Sequence, residues 1–490
     1  MRYQNPILKG DYSDPDVIRV GEDYYMVSSS FTYLPGIPVL HSRDLVHWRL
    51  INCAARSLPF HRYDTPAHKC GTWAPSLRYH NGTFYVYVCL PDEGLFAFTA
   101  KHPQDEWEAH YVMDTIGWID PCPFWDDDGS AYLLHAFTYS RVGIRSILYL
   151  HRMRPDGLEI LDYGRMVFDG GTENVTTEGP KMYKKDGQYY ILAPAGGVTN
   201  GWQLALRSAS PYGPYEVRRV LERGKTGVNG PHQGGWVTTP QGEDWFIHFQ
   251  DVGVYGRVPH LQPLRWENGW PVIGDHGEPV SSWEAPGAKE RTEPGIPTTD
   301  EFCGKLGLQW QWQANPRKDW YDITERGLRL YAAQAPSLFE AGQFLSQLMQ
   351  SYDFTMDAKI TLHPETDGDC AGIAVMGYTY HYLALYMGEL RFVRGETEVR
   401  TRREPTLVTE TVLERLPYGG NTVCVLLRIR NGRARFLYGA DGNAFEPIGE
   451  EVALSAGGWV GARPGLFSMS RNKSGGYADF AYCRFADLSE

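Results

Sequence analysis

Three acidic residues stand at matching places in a repeated hairpin unit: Asp14 in SDPD, Asp120 in IDPC and Glu178 in TEGP. Aligned on an aromatic of the following strand (Tyr25, Tyr132, Tyr190), they fall within about one residue of a common position. Hydrolysis of a glycosidic bond needs two carboxyl groups, one to protonate the departing oxygen and one on the opposite face to activate water. A third acid nearby opposes ionisation of the proton donor through like-charge repulsion and so raises its pKa. Asp-Pro and Glu-Gly are also ordinary turn dipeptides, and any one of the three alone reads that way. Turn chemistry does not call for acids at equivalent positions of separate repeats, so the three together favour catalysis.

The units that must position these acids share one grammar: a small or acidic residue, a short strand, a polar turn and an aromatic-rich strand. They are SDPDVIRVGEDYYMVSSS, APSLRYHNGTFYVYVCL, DPCPFWDDDGSAYLLHAF, EGPKMYKKDGQYYILAPAG and GGWVTTPQGEDWFIHFQ. Each carries hairpin chemistry at its turn: Gly21-Glu22, Asn81-Gly82, Asp128-Gly129, Asp186-Gly187 and Gly242-Glu243. A recurrence of roughly 45 to 60 residues suits a blade of about four strands. Five copies therefore predict an all-β fold with a five-bladed β-propeller over residues 1–285, in which the residues opening the blades converge on one funnel. A sandwich would also supply many strands but would not restart one pattern five times. Residues 286–299, rich in Pro, Gly and charge, read as a linker. From 300 to 490 the repeat stops, and segments such as FTMDAKITL, AGIAVMGYTYHYLALYM and TVCVLLRIR read as half-buried antiparallel strands of a C-terminal β-sandwich.

Composition excludes several functions. In 490 residues the formal net charge is −12 with no basic tract, which repels a phosphate backbone and argues against nucleic acid. Aromatics reach 13%, and rings are what neutral sugars stack on. No apolar run approaches bilayer-spanning length and the N-terminus lacks signal-peptide character, so no membrane partner and a cytoplasmic location are expected. The eight cysteines are scattered without CxxC spacing and read as reduced, mostly buried thiols. Self-association into a homo-oligomer is left open.

At the acids the sequence resembles a known family. SDPDVIRVGEDYYMVSSSFTYLPGIPVLHSRDLVHW, GTWAPSLRYHNGTFYVY, IDPCPFWDDDGSAYL, TEGPKMYKKDGQYYIL, GPHQGGW and YGRVPHLQPLRWENGWP resemble glycoside hydrolase family 43. The tail from DEFCGKLGLQWQWQANP to YADFAYCRF resembles the β-sandwich of its xylosidase-like branch. The resemblance implies an inverting exo-glycosidase that releases terminal xylose from β-1,4-xylooligosaccharides, with α-L-arabinofuranosidase action, alone or alongside, as the alternative. It implies general base Asp14, general acid Glu178 and pKa modulator Asp120. It implies substrate contacts from Phe31, Trp73 and Arg257, and a sandwich loop at the pocket. His232 in GPHQGGW matches an axial histidine that in some members ligates calcium. Many xylosidases read His-Gly where this chain has His232-Gln233-Gly234, so Gln233 competes with His232 for that place. No cofactor is required by the chemistry, and Ca2+ at the axis is the one metal the resemblance offers.

Blade packing is the structural alternative for Trp73, a solvated surface residue for Arg257 and a satisfied core residue for His232. Asp126-Asp127-Asp128 lacks the rest of a calcium loop and reads as a solvated turn. Ser28-Ser29-Ser30 has no nucleophile-elbow context. Two competing readings are a non-catalytic sugar-binding propeller, which needs no tuned proton donor, and a sucrose-type retaining hydrolase of the same fold. The retaining family opens on Asn-Asp-Pro-Asn, where this chain has Ser13-Asp14-Pro15-Asp16.

Overall fold

The computed structural model describes residues 2–286, 295–398, 406–473 and 475–488. Five four-stranded antiparallel sheets follow one another along the chain, each built from consecutive strands. Blade 1 spans Asp16–Val20 to Arg49–Ala55, and blade 2 spans Trp73–His80 to Glu108–Met113. Blade 3 runs from Trp118–Trp125 to Arg165–Asp169, blade 4 from Lys181–Lys185 to Glu216–Glu222, and blade 5 from His232–Thr238 to Trp270–Ile273. The five-bladed propeller is as expected. A short strand at Arg2–Gln4 pairs with Ser282–Glu284, tying the start of the chain to the segment after blade 5.

Every blade enters its inner strand through a left-handed residue: Asp14 (φ 54°), Ala74 (φ 31°), Asp120 (φ 57°), Gly179 (φ 55°) and Gln233 (φ 36°). In blades 2, 3 and 5 the register shifts at that point, between Trp73 and Ser76, Ile119 and Cys122, and His232 and Gly234. A bulge re-aims a side chain, and a non-glycine residue at positive φ costs of order 1–3 kcal/mol, so such residues persist only where their surroundings hold them. The repeat position is therefore a device for turning side chains toward the axis. In blade 4 a glycine occupies it, and Glu178 stands one residue before.

The C-terminal part is a sandwich of an eight-stranded and a seven-stranded sheet. Phe354–His363 alternates buried and half-exposed residues, as its pattern predicts. Asp369–Met376 and Thr379–Tyr386 differ from the half-buried expectation, being buried almost throughout. Their inner face packs in the sandwich core through Ile373 and Leu383. The outer face is covered by the segment carrying Leu338, Phe339 and Phe344, which packs on Tyr380 and Tyr382. Residues 287–294 of the expected linker lie outside the described residues.

The sandwich is fastened to the propeller near the axis. Leu34 and Trp312 exchange backbone hydrogen bonds (2.9 and 2.6 Å). Buried Asp11 accepts from the N–H of Arg257 in blade 5 and the N–H of Gly461 in the sandwich, both at 2.8 Å. Gly461 admits no side chain, because a Cβ there would sit 2.7 Å from the backbone of Tyr255 and Gly256.

Candidate active site

Asp14, Asp120 and Glu178 meet at one mouth of the propeller. Two hydroxyls orient the Asp14 carboxylate, Ser13 Oγ at 2.8 Å and Ser29 Oγ at 2.6 Å, both donating to Oδ2. Ser29 in turn accepts from the N–H of Ala74 at 2.7 Å, so blade 2 holds the residue that holds the acid of blade 1. Arg257 Nη1 lies 3.6 Å from the other oxygen, Oδ1, and donates to Ser13 Oγ at 3.1 Å.

Asp120 is buried, and its Oδ2 accepts from the N–H of Gly179 (2.6 Å) and from Gln233 Nε2 (3.2 Å). One carboxylate thus links the entries of blades 3, 4 and 5. Burial, then the charge of Asp14, raises its pKa against the opposing pull of the Gly179 N–H, Lys181 and Gln233. Glu178 has a side chain 26% exposed, the most open of the three. Its pKa is raised well above the usual carboxylate range by desolvation first, then by Asp120 and Asp14, with Arg257 opposing. A carboxyl group that keeps its proton near neutrality can donate it to a leaving oxygen.

The rings the sequence nominated line the same mouth. Phe31 and Trp73 lie 6.5 Å apart, and the Arg257 guanidinium sits 5.9 Å over the Phe31 ring. The wall has a third member that sequence reasoning missed. Trp459 comes from the sandwich, packs edge-on to Trp73 at 4.6 Å and lies 5.9 Å from Phe31. It remains 37% exposed and takes a left-handed backbone (φ 66°). Its one sequence signal is a tryptophan inside GGWVG, a Gly-rich segment able to approach another backbone closely. Arg141, also unforeseen, lies 4.8 Å over the Trp73 ring and is held by Asp92 at 3.0 Å.

His232 is buried on the axis with Nε2 3.5 Å from Glu178 Oε1. Neither ring nitrogen has a hydrogen-bond partner, and burial, then Arg257 and His248, pushes its pKa down to about 3. A lone unpartnered imidazole offers one metal ligand, whereas Ca2+ takes six to eight oxygens. Among the described residues no three His, Cys, Asp or Glu side chains gather to hold an ion. His232 is the one side chain that would hold a metal at this place, and no step of the chemistry runs through one. Gln233, the competitor for that place, serves instead as a donor to Asp120. The Asp126 turn also differs from its reading. Asp126 is buried, bonded by Tyr189 and Lys184, and only Asp127 and Asp128 are solvated.

A propeller with three carboxyl groups at its axial mouth and an aromatic wall completed by a sandwich loop defines a glycoside hydrolase. The chain belongs to glycosyl hydrolases family 43, whose model matches residues 3–271, and the β-xylosidase C-terminal concanavalin A-like domain matches residues 299–486. It is 41% identical over 476 residues to a protein of Xylanibacter ruminicola, covering 95% of this chain and 86% of that one. It is 32% identical over 539 residues to a β-xylosidase of Formosa agariphila (97% and 89% covered). A non-reducing end α-L-arabinofuranosidase of Bacteroides ovatus is 30% identical over 460 residues (86% and 82% covered). Among solved structures, the xylan β-1,4-xylosidase of Bacillus halodurans superposes with a TM-score of 0.87 at 25% identity, over 99% of this chain and all of that one.

Proposed function

We propose that the protein is an exo-acting, inverting β-xylosidase that removes terminal xylose from β-1,4-xylooligosaccharides. The observation that carries this reading is the raised pKa of Glu178 beside hydrogen-bonded Asp14, inside a mouth narrowed by Phe31, Trp73 and Trp459. Asp14 takes a proton from water as the water oxygen attacks the anomeric carbon. The bond from that carbon to the aglycone oxygen breaks, and Glu178 gives its proton to the departing oxygen. Asp120 sustains the protonated state of Glu178 by its charge and fixes the strand entry beside it through Gly179. Trp459, reaching over from the second domain, supports a short pocket for a chain end rather than a groove for a chain interior.

α-L-Arabinofuranosidase action, alone or alongside, is the second reading, favoured by the relative of that name at 30% identity. Hydrolysis of nitrophenyl β-xyloside and nitrophenyl α-L-arabinofuranoside side by side, with the first product anomer read by NMR, separates the readings. The first reading expects faster xyloside cleavage and α-xylose as initial product. β-Xylose first would overturn inversion, and no hydrolysis of either substrate would leave a sugar-binding propeller. The roles of the acids are read from a leaving-group series. Glu178→Ala should lose two or more orders of magnitude on xylobiose and far less on aryl xylosides with good leaving groups. Asp14→Ala should damage both alike, and equal leaving-group sensitivity in the two variants would refute the assignment.

A further inference from the structure

The inner strand of each blade runs from the acid-bearing mouth to a hairpin at the far face. There the strand ends of all five blades line a cavity of about 600 Å³. A buried plug separates the two mouths. Asp16 accepts from the N–H of Leu77 at 2.9 Å and from Arg78 at 2.7 Å, and Lys181 Nζ donates to Ser76 Oγ at 2.6 Å. The cavity is therefore a site of its own rather than a rear entrance to the acids.

Its lining combines rings with cations. Tyr79, Trp125, Tyr183 and Trp236 face it, Tyr79 being 45% exposed, and His80 stacks on Trp125 at 4.6 Å with the planes 9° apart. Arg19, Arg78, Lys184 and Lys185 line it against the single carboxylate of Asp127, in a chain whose net charge is −12. Three of those cations have acid partners behind them, Asp16 for Arg78, Asp126 for Lys184 and Asp244 for Lys185, and Lys184 is paired on the cavity side as well, with Asp127 at 3.0 Å. In the first three pairs the carboxylate is the buried member and the cation is the one on the cavity wall. Arg19 is fixed by carbonyl oxygens, those of Thr238 and Gly21, both at 2.6 Å, so its charge is undiminished by those bonds. A visitor to this mouth meets the exposed ring of Tyr79 and, in Arg19, a cation bonded only by carbonyl oxygens.

We propose that this mouth is a second, non-catalytic carbohydrate site, which takes an oligosaccharide bearing a carboxylate, such as a uronate-substituted xylo-oligosaccharide. A pyranose ring stacks on the exposed Tyr79 ring, and the carboxylate pairs with Arg19. The proposal rests on the xylosidase reading for its choice of sugar backbone. It gives the enzyme a hold on acidic substituted chains whose substituents the narrow catalytic mouth excludes.

The test is calorimetric titration of the Glu178→Ala protein with glucuronate-substituted xylotriose, xylotriose, glucuronate and inorganic phosphate. The substituted sugar should bind at least fivefold tighter than xylotriose, and weaken between 50 and 500 mM salt as a charged contact does. Adding Arg19→Ala should weaken the substituted sugar at least fivefold and leave xylotriose binding unchanged, and adding Tyr79→Ala, which removes the stacking ring, should weaken the substituted sugar at least fivefold. In the active enzyme the same two substitutions should leave aryl xyloside hydrolysis intact. Equal affinity for the two trisaccharides, indifference to both substitutions, or phosphate binding as tightly as the substituted sugar would overturn the proposal. Failure of the wild type to cleave any xyloside is a separate result, which refutes the proposed activity and not the site.

Discussion

Asp120→Asn isolates the electrostatic part of the site. Asparagine keeps an oxygen to accept from the N–H of Gly179, so the entry to blade 4 is preserved while one negative charge is removed. Asp120 is the largest charge acting on Glu178 after desolvation, and it acts upward. A like charge in such contact shifts a carboxyl group by roughly 1–3 pKa units. Because the Glu178 side chain is 26% exposed, solvent screening brings the expectation to the low end, about one unit. The general acid works only while protonated, so activity falls as pH rises through its pKa. Lowering that pKa moves the basic limb of the profile about one unit toward acid. The groups that face Glu178 and remain are Asp14, Arg257 and neutral His232, and the residual elevation comes from desolvation and Asp14. The assay is kcat/KM against pH on xylobiose, whose poor leaving group requires the acid, since this parameter reports the free enzyme. An unmoved basic limb, or one moved to higher pH, would refute the reasoning even if the variant were slow. Because the two acids titrate together, the limb is read as a property of the pair.

Trp459→Ala should lower kcat/KM on xylobiose roughly 3- to 10-fold, the equivalent of about 0.5–1.5 kcal/mol for a lost aromatic contact. Unchanged kinetics would mean that the sandwich loop does not touch the sugar. Gly461→Ala should displace that loop from Tyr255 and Gly256, reducing activity while the propeller melts as before, which circular dichroism and kinetics together measure. Of the eight cysteines, seven are buried and Cys303 is exposed, with none in a disulfide. A thiol reagent should therefore find one fast-reacting group in the native protein and eight after denaturation.

The acid-bearing mouth of the molecule was legible because propeller symmetry writes itself into the chain. Five hairpins with matching turns imply five inner strands around an axis, and acids at equivalent repeat positions must then share a mouth whatever their separation in sequence. Tyr25, Tyr132 and Tyr190 were enough to align Asp14, Asp120 and Glu178, since each blade closes on local contacts. What the repeat does not encode is contact between parts that lack it. Trp459 enters the site because Asp11 bridges Arg257 and Gly461, a pairing of residues from three distant stretches with no shared period. Gln233 and His232 could not be told apart in sequence, and a one-residue bulge decided which side chain meets Asp120 and which faces Glu178. Residue type and spacing determined which groups could perform the chemistry. Tertiary burial decided their pKa values and the wall around them, because desolvation and the approach of charges depend on everything packed nearby, not on the residue's own neighbours in the chain.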